Sequence, residues 1–307
     1  MRRSTSFIWP STRGCVLPSG RRTRALFGSP GAGLGLAAVA VVALSALLPG
    51  ALAPADPNEQ RLLARFTPPT ARTPDGDLAV LGTDQLGRDI LSRVIHGART
   101  SVLIGLAAVL LAGSVGTTLG LTAGIRGGAS DQLIMRLADM QFAFPFILLA
   151  ITVIGVLGPS IRNIILVVGL SSWATYARVV RAETLAVRER AYVDAARSLG
   201  MSVPRIVMRH ILPNVSASLI VVATFGVAGA ILTEAGLSFL GLGVPLSIPS
   251  WGGMLAEGRQ FVDTRYWLAL SPGVALFATV MAINLIGDAL RDALDPYLQT
   301  RATVDRF

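Results

Sequence analysis

Few residues of this chain are of the types that do covalent or metal chemistry. The sequence contains two histidines, His96 and His210, and one cysteine, Cys15. A zinc centre needs several such ligands close together, and a nucleophilic triad needs a serine, a histidine and an acid on facing elements. The sequence offers neither arrangement. We therefore predict no catalytic residue, no metal site, no bound cofactor and no enzymatic activity.

The basic residues are all arginine, 27 in number. The phosphate-binding loop of ATPases requires a lysine on the terminal phosphates, which this chain cannot supply. If ATP powers the protein, another polypeptide must bind the nucleotide. The arginines flank apolar runs and do not form a basic face with interleaved aromatic residues, so the net charge of +9 does not indicate nucleic-acid binding.

The composition indicates an integral membrane protein. Hydrophobic residues make up 52% of the chain and charged residues only 15%, whereas soluble domains contain about 25% charged residues. We predict an all-α polytopic fold with six transmembrane helices in a cytoplasmic membrane, surrounded by lipid. The predicted spans are residues 33–53, 102–125, 144–157, 161–180, 215–233 and 268–286.

Arginine counts predict the topology. Residues 1–32 contain six arginines and no acid, and residues 178–209 contain seven arginines and three acids, so both segments are expected in the cytoplasm. This gives a cytoplasmic tail 1–32, a first helix 33–53, an extracytoplasmic segment 54–100, a five-helix core 101–290 and a cytoplasmic tail 291–307. An alternative remains open: residues 33–53 end in a small-x-small pattern that is also typical of a cleaved secretory signal.

A polar segment at residues 182–214 interrupts the apolar pattern. Its first half has small residues four apart on one predicted helical face, and Gly200 then stands where a helix could end in a left-handed residue. We predict a second helix with Ser202 as N-cap and Pro204 in its first turn, ended by Pro213. The result would be a rigid helix-turn-helix. The residues of the first face are Val187, Ala191, Ala195 and Leu199.

The amino-acid sequence of this segment resembles a known motif. Asp194-Ala195-Ala196, then Gly200, then His210 and Leu212-Pro213, is similar to the EAA loop of permease subunits in binding-protein-dependent ABC importers. Asp194 stands where Glu is usual, and His210 where Ile is more frequent. The stretches RHILPN and EAGLSFLGLG resemble the oligopeptide, dipeptide and nickel branch of that family.

The resemblance implies a function and a set of partners. The protein would form half of an ATP-driven import pathway for peptides, with nickel or glutathione-type solutes as the alternative. Its partners would be a second permease in a heterodimer, two ATP-binding subunits and an extracytoplasmic solute-binding protein. The expected ATPase-coupling residues are Tyr192, Asp194, Ala195, Ala196, Gly200, His210, Leu212 and Pro213.

A more distant alternative is a self-contained secondary transporter or channel. Such proteins carry ionisable residues near the middle of the membrane, whereas the charges here lie at span ends. Glu234 and Asn284 are candidate pathway residues, although an interfacial hydrogen-bonded carboxylate and a helix-helix hydrogen bond explain them as well. Charged residues before the second span, at 84–93, are predicted to form local salt bridges on an interfacial helix.

Overall fold

The computed structural model describes residues 30–294, and the chain there is mainly helical. Cys15 and the predicted tails 1–32 and 291–307 lie outside the described residues, apart from 30–32 and 291–294. The helices are α1 Pro30–Leu47, α2 Pro49–Leu52, α3 Ile90–Arg126, α4 Gly128–Ala143, α5 Phe146–Leu157, α6 Ile161–Arg188, α7 Ala191–Ser198, α8 Val203–Ile206, α9 Leu212–Phe239, α10 Trp251–Gly258 and α11 Trp267–Leu294.

Four of the described helical segments are long and apolar enough to cross a membrane. They are α3, α6, the continuous segment Val203–Phe239 and α11. The first predicted span corresponds to α1, which has 18 residues and a length of about 27 Å. It ends at Leu47 rather than at residue 53, because Leu48 leaves the helical conformation before Pro49 begins the short α2.

The third predicted span differs most from expectation. The helix α5 has 12 residues and reaches only about 18 Å, short of the ~30 Å hydrocarbon core. It forms a pair with α4 that is bent by 86°. The bend lies at Phe144, which is extended because it precedes Pro145. The predicted span at 144–157 therefore corresponds to a short apolar helix that reaches the length of a span only together with α4.

The helix α3, which contains the second predicted span, begins at Ile90, well before the predicted start at residue 102. Asp89 is the N-cap of α3, and its carboxylate accepts a hydrogen bond from the Ser92 backbone N–H. Asp84 and Arg88 precede the helix, so the predicted interfacial helix is wrong for them, but the predicted local salt bridge is present, with Arg88 donating to Asp84 at 2.6 Å. His96 lies inside α3, half-buried, with its Nδ1 2.9 Å from the Ser92 carbonyl oxygen.

Residues 54–89 fold into a small polar lobe at the start of α3. It contains a one-turn 3-10 helix at Leu62–Ala64 and a two-stranded antiparallel sheet. The strands are β1 Ala71–Arg72 and β2 Leu78–Ala79, with Ala71 opposite Ala79. The all-α prediction is thus wrong for this hairpin. Since α3 has 37 residues, the lobe lies about 55 Å from the other end of that helix.

Closely packed glycines join α3 to α6. A Cβ atom placed at Gly116, Gly120 or Gly124 would come within 2.5–2.7 Å of backbone or side-chain atoms of α6. Small residues at a spacing of four let membrane helices approach in this way. The predicted small face of the second span is confirmed at these positions. At Gly113 the nearest atom would be 3.9 Å away, which is ordinary contact.

We expect Gly120→Ala to lower the stability of the protein by about 1–3 kcal/mol, because the added methyl would overpack the helix contact. Its Cβ would lie 2.6 Å from the Ala177 carbonyl oxygen. Gly113→Ala, on the same helix, is the matched control and should leave stability nearly unchanged. Thermal unfolding of the purified protein in detergent measures both. Equal unfolding midpoints for the two variants would contradict the close packing.

Candidate functional site

The coupling segment, residues 182–214, leaves α6 through a short break and then turns sharply. The helix α6 ends at Arg188, and α7 follows from Ala191. Gly200 has φ +78°, the left-handed conformation predicted for it. Because of the break, Val187 and Ala191 do not belong to one helix, and the predicted single face is wrong. Val187 is buried, whereas Ala191, Ala195 and Leu199 are exposed.

The second half of the segment continues directly into the membrane helix. Ser202 is the N-cap residue of α8 and Pro204 lies in its first turn, although the serine side chain makes no capping hydrogen bond. Pro213 does not end the helix as predicted. A π-helical turn at Val207–Ile211 separates α8 from α9 and provides the wider spacing that accommodates the proline ring. Residues 203–239 therefore form one helical rod.

The coupling segment has an apolar interior of its own. Ala196 is only 6% exposed and packs inward with Val193. We predict that Ala195 and Ala196 permit close docking; Ala196 makes its own close contacts within this chain, and its coupling role stays a prediction. The buried residues of this cluster are Val180, Val187, Val193, Ala196, Ile206, Ile211 and Val215.

The segment also exposes four large apolar side chains. Leu199 is 86% exposed, and Tyr192, Val203 and Met208 are also exposed. Exposed apolar groups rimmed by charge are typical of protein interaction sites. The surrounding charges are mainly positive, from Arg190, Arg197, Arg205 and Arg209. Asp194 is exposed and lies 3.5 Å from Arg197. We call Tyr192, Leu199, Val203 and Met208 the exposed patch.

Three polar residues join the two halves of the segment. The rings of Tyr192 and His210 are 5.8 Å apart between centroids. Asn214 donates to the His210 carbonyl oxygen at 2.7 Å and to the Tyr192 hydroxyl at 3.3 Å. His210 and Leu212 are half-buried, and Pro213 is exposed. The structure thus brings Tyr192 and His210 together, and both stay predicted coupling residues.

Sequence reasoning missed the contacts that attach the segment to the membrane helices. Arg181 pairs with Asp131 of α4 at 2.7 Å, and Arg188 donates to the Gly124 carbonyl oxygen of α3 at 2.8 Å. Ser218 of α9 donates to Glu183 at 2.8 Å. The partners are 35 to 64 residues apart in sequence, so no local spacing indicated them.

Of the two predicted pathway residues, Glu234 is enclosed within the chain. It is 0% exposed and accepts hydrogen bonds from Ser238 at 2.7 Å and Ser101 at 3.3 Å. The predicted hydrogen-bonded carboxylate is confirmed, with Ser238 of the same helix and Ser101 of α3 as its partners, and its level at the outer membrane interface stays a prediction. Asn284 is half-buried in α11 and makes no side-chain hydrogen bond with the described residues.

A cavity of about 380 Å³ lies between α3, α6 and α9. Gly226 on its wall is 14 residues beyond Leu212, about 21 Å along α9, and so near the middle of that helix. The Tyr176 hydroxyl oxygen, also at this wall, is buried and has no hydrogen-bond partner among the described residues. The polar residues that line the cavity are Ser172, Thr175, Tyr176 and Thr233.

The salt bridges predicted at residues 84–93 belong to a buried group of charges at the start of α3, and sequence reasoning missed its burial and its distant partner Glu257. Asp84 accepts from Arg88 and Arg93 at 2.6 Å each, and Glu257 of α10 accepts from the same arginines at 2.7 and 2.8 Å. We call these four residues the charge cluster. It contains two positive and two negative groups, so its formal charge is zero. It joins the polar lobe to α10.

Residues 116–300 match the family described as "Binding-protein-dependent transport system inner membrane component". The chain belongs to this family. The di/tripeptide transport system permease protein DppC of Pseudomonas aeruginosa is 43% identical over 268 residues, which cover 87% of this chain and 88% of that protein. The nickel transport system permease protein NikC of Escherichia coli is 42% identical, covering 87% and 94%.

This inner membrane component also resembles a solved transporter in its fold. The inward-facing MetNI methionine ABC transporter gives a TM-score of 0.55 at 17% identity and covers 67% of this chain and 98% of that one. The family match and the curated relatives confirm the family that the sequence predicted. An inner membrane component of a transport system is a permease, and a self-contained secondary carrier is not supported.

Proposed function

We propose that this chain forms one half of the membrane pathway of an ATP-driven importer for di- or oligopeptides. The second half would come from another permease, the energy from two separate ATP-binding subunits, and the solute from an extracytoplasmic binding protein. The similarity to DppC supports the peptide assignment. NikC is almost as similar, so nickel or a glutathione-type solute is the second candidate.

The proposed topology has six spans, with both termini and the coupling segment in the cytoplasm. The four long helices, the bent pair of α4 and α5, and the shorter α1 supply the six apolar segments. Seven arginines against three acids at residues 178–209 support the cytoplasmic position of the coupling segment. The polar lobe, at the far end of α3, then lies on the outer side of the membrane.

The coupling segment is proposed to dock on an ATPase subunit through the exposed patch. Its buried cluster keeps the two short helices together, so a force on the patch moves them as one body. The rod 203–239 and the pairs to α3 and α4 would carry that displacement into the membrane. Such an element can alternate between two states that nucleotide binding favours differently.

The solute pathway is proposed to pass the cavity between α3, α6 and α9. Its hydroxyl-bearing wall and the unpaired Tyr176 hydroxyl suit the neutral amide groups of a peptide. Glu234 and Asn284 remain proposed contributors. Glu234 would act through the position of Ser101 and Ser238 rather than by touching the solute, since its carboxylate is enclosed.

The observation that best supports the proposed function is the exposed patch on the coupling segment. The variant Leu199→Glu tests whether this patch docks on the ATPase. An apolar anchor at the centre of an interface contributes on the order of 2 kcal/mol, so we expect roughly 30-fold weaker association with the ATPase. Leu246→Glu, at an exposed leucine in the loop before α10, is the matched control. Quantitative co-purification of the ATPase from membranes measures both. Normal recovery of the ATPase with Leu199→Glu would refute the proposed docking face.

A further inference from the structure

The polar lobe contains a surface cavity of about 220 Å³ with an acidic wall. Four carboxylates and one guanidinium line it, which gives a formal charge of −3. Three of the carboxylates belong to the loops of the lobe, and the fourth belongs to the N-cap residue of α3. These residues are Asp56, Glu59, Asp77 and Asp89, with Arg61 as the only base among the described lining residues.

Only part of this negative charge is compensated within the lobe. Arg61 pairs with Glu59 at 3.0 Å and with Asp77, and these hydrogen bonds raise the pKa of its guanidinium above the ordinary value. Asp56 accepts from the Asn58 backbone N–H, and Asp89 accepts from Ser92. Neither of these two carboxylates has an ion-pair partner in the described part of the chain. The cavity therefore retains an attraction for a cation.

An unpaired hydroxyl group is a second, independent indication of a binding site. Thr73 lines the cavity and is only 8% exposed. Its hydroxyl oxygen is buried and has no hydrogen-bond partner among residues 30–294. Buried polar atoms nearly always have a hydrogen-bond partner. An unpaired hydroxyl oxygen at the wall of a cavity therefore indicates that a polar group binds there.

The size of the cavity and its rim narrow the choice of ligand. Pockets for drug-sized molecules measure about 300–1,000 Å³, so this smaller cavity suits one side chain better than a whole peptide. Leu78 lines the cavity, Leu62 and Leu63 follow Arg61 in the chain, and all three expose more than half of their surface. Exposed apolar residues in a lobe that carries uncompensated negative charge suit a partner protein of opposite charge.

We propose that this cavity receives a lysine or arginine side chain of the extracytoplasmic solute-binding protein, with Leu62, Leu63 and Leu78 forming the surrounding contact. The proposal rests on the proposed function, which puts the polar lobe on the outer side of the membrane. A water-soluble partner fits the acidic character of the lobe, whereas a second permease would meet this chain mainly through apolar helices.

The test uses the complete importer in lipid nanodiscs and its own solute-binding protein as the probe. We expect Asp56→Asn combined with Asp77→Asn to weaken binding roughly tenfold or more, mostly through slower association, and to reduce its dependence on salt. Thr73→Val should weaken binding too, without lowering the stability of the lobe, since it removes only an unpaired hydroxyl. Asp75→Asn, an exposed acid in the same turn that does not line the cavity, is the control.

Several outcomes would overturn the proposal. Unchanged affinity and salt dependence in the double variant would do so, as would equal effects of Asp75→Asn. Loss of the second permease from the purified complex would mean that this subunit, and not the binding protein, covers the cavity. Failure of the proposed function is distinguishable, because the wild-type chain would then co-purify with no ATPase at all.

Discussion

Replacing Gly200 by valine is expected to abolish solute import while the protein still inserts into the membrane and folds. Gly200 has φ +78°, a conformation in which a β-branched residue is strained by about 1–3 kcal/mol. No atom lies within 4 Å of the position that a Cβ would occupy, so the effect comes from the backbone and not from a clash. The turn would open and change the angle between α7 and α8. Transport into proteoliposomes measures the result.

Gly200→Asn is the matched control for this prediction. Asparagine tolerates the left-handed conformation far better than valine, so this variant should keep most of the transport activity. Both side chains are of similar size and meet open space, which leaves backbone strain as the difference between them. If valine and asparagine had the same effect, or if valine transported normally, the turn at Gly200 would not set the coupling geometry.

Glu257→Gln is expected to destabilise the protein by about 3–5 kcal/mol, the usual cost of removing one partner from a buried ion pair. Arg88 and Arg93 would then share a single carboxylate, Asp84. Both arginine side chains are at most 7% exposed, so water cannot replace the lost charge. Thermal unfolding in detergent, or protease sensitivity of the polar lobe, measures the change.

Glu59→Gln provides the comparison, because Glu59 forms an exposed pair with Arg61. Exposed pairs contribute about 0–1 kcal/mol, so this change should scarcely move the unfolding midpoint. An unfolding midpoint for Glu257→Gln equal to that of Glu59→Gln would show that the charge cluster does not hold the lobe to α10.

The sequence was most informative where a local rule applied. Gly200 could be predicted because only glycine readily adopts its conformation at the end of a helix, and the small face at Gly116, Gly120 and Gly124 follows from a spacing of four. The family could be predicted from the order and spacing of the motif residues between 194 and 213. Apolar runs located the long helices, since hydrophobic length is a property of the chain itself, although the helices extend as far as 12 residues beyond the predicted spans.

The sequence did not allow us to predict contacts between distant residues, the angle of the bend between α4 and α5, or the π turn before Pro213. Glu257 lies 164 residues from Arg93, and nothing near either residue indicates the other. The short α5 is an ordinary apolar run in sequence, and although Phe144-Pro145 indicates a break, no local rule gives the 86° angle between α4 and α5. Pro213 indicates a helix end by the usual rule, but a neighbouring π turn relieves the clash on which that rule rests.

The π turn also fixes the rotation of the rod 203–239. Each residue of an α-helix advances about 100° around the axis, so the number of residues between the coupling segment and the outer half of α9 decides which way every later side chain points. Deleting one residue from Val207–Ile211 would swing Glu234 about a quarter turn away from Ser101. The widened turn thus sets the rotational phase of the later side chains of α9, Glu234 among them, relative to residues 182–206.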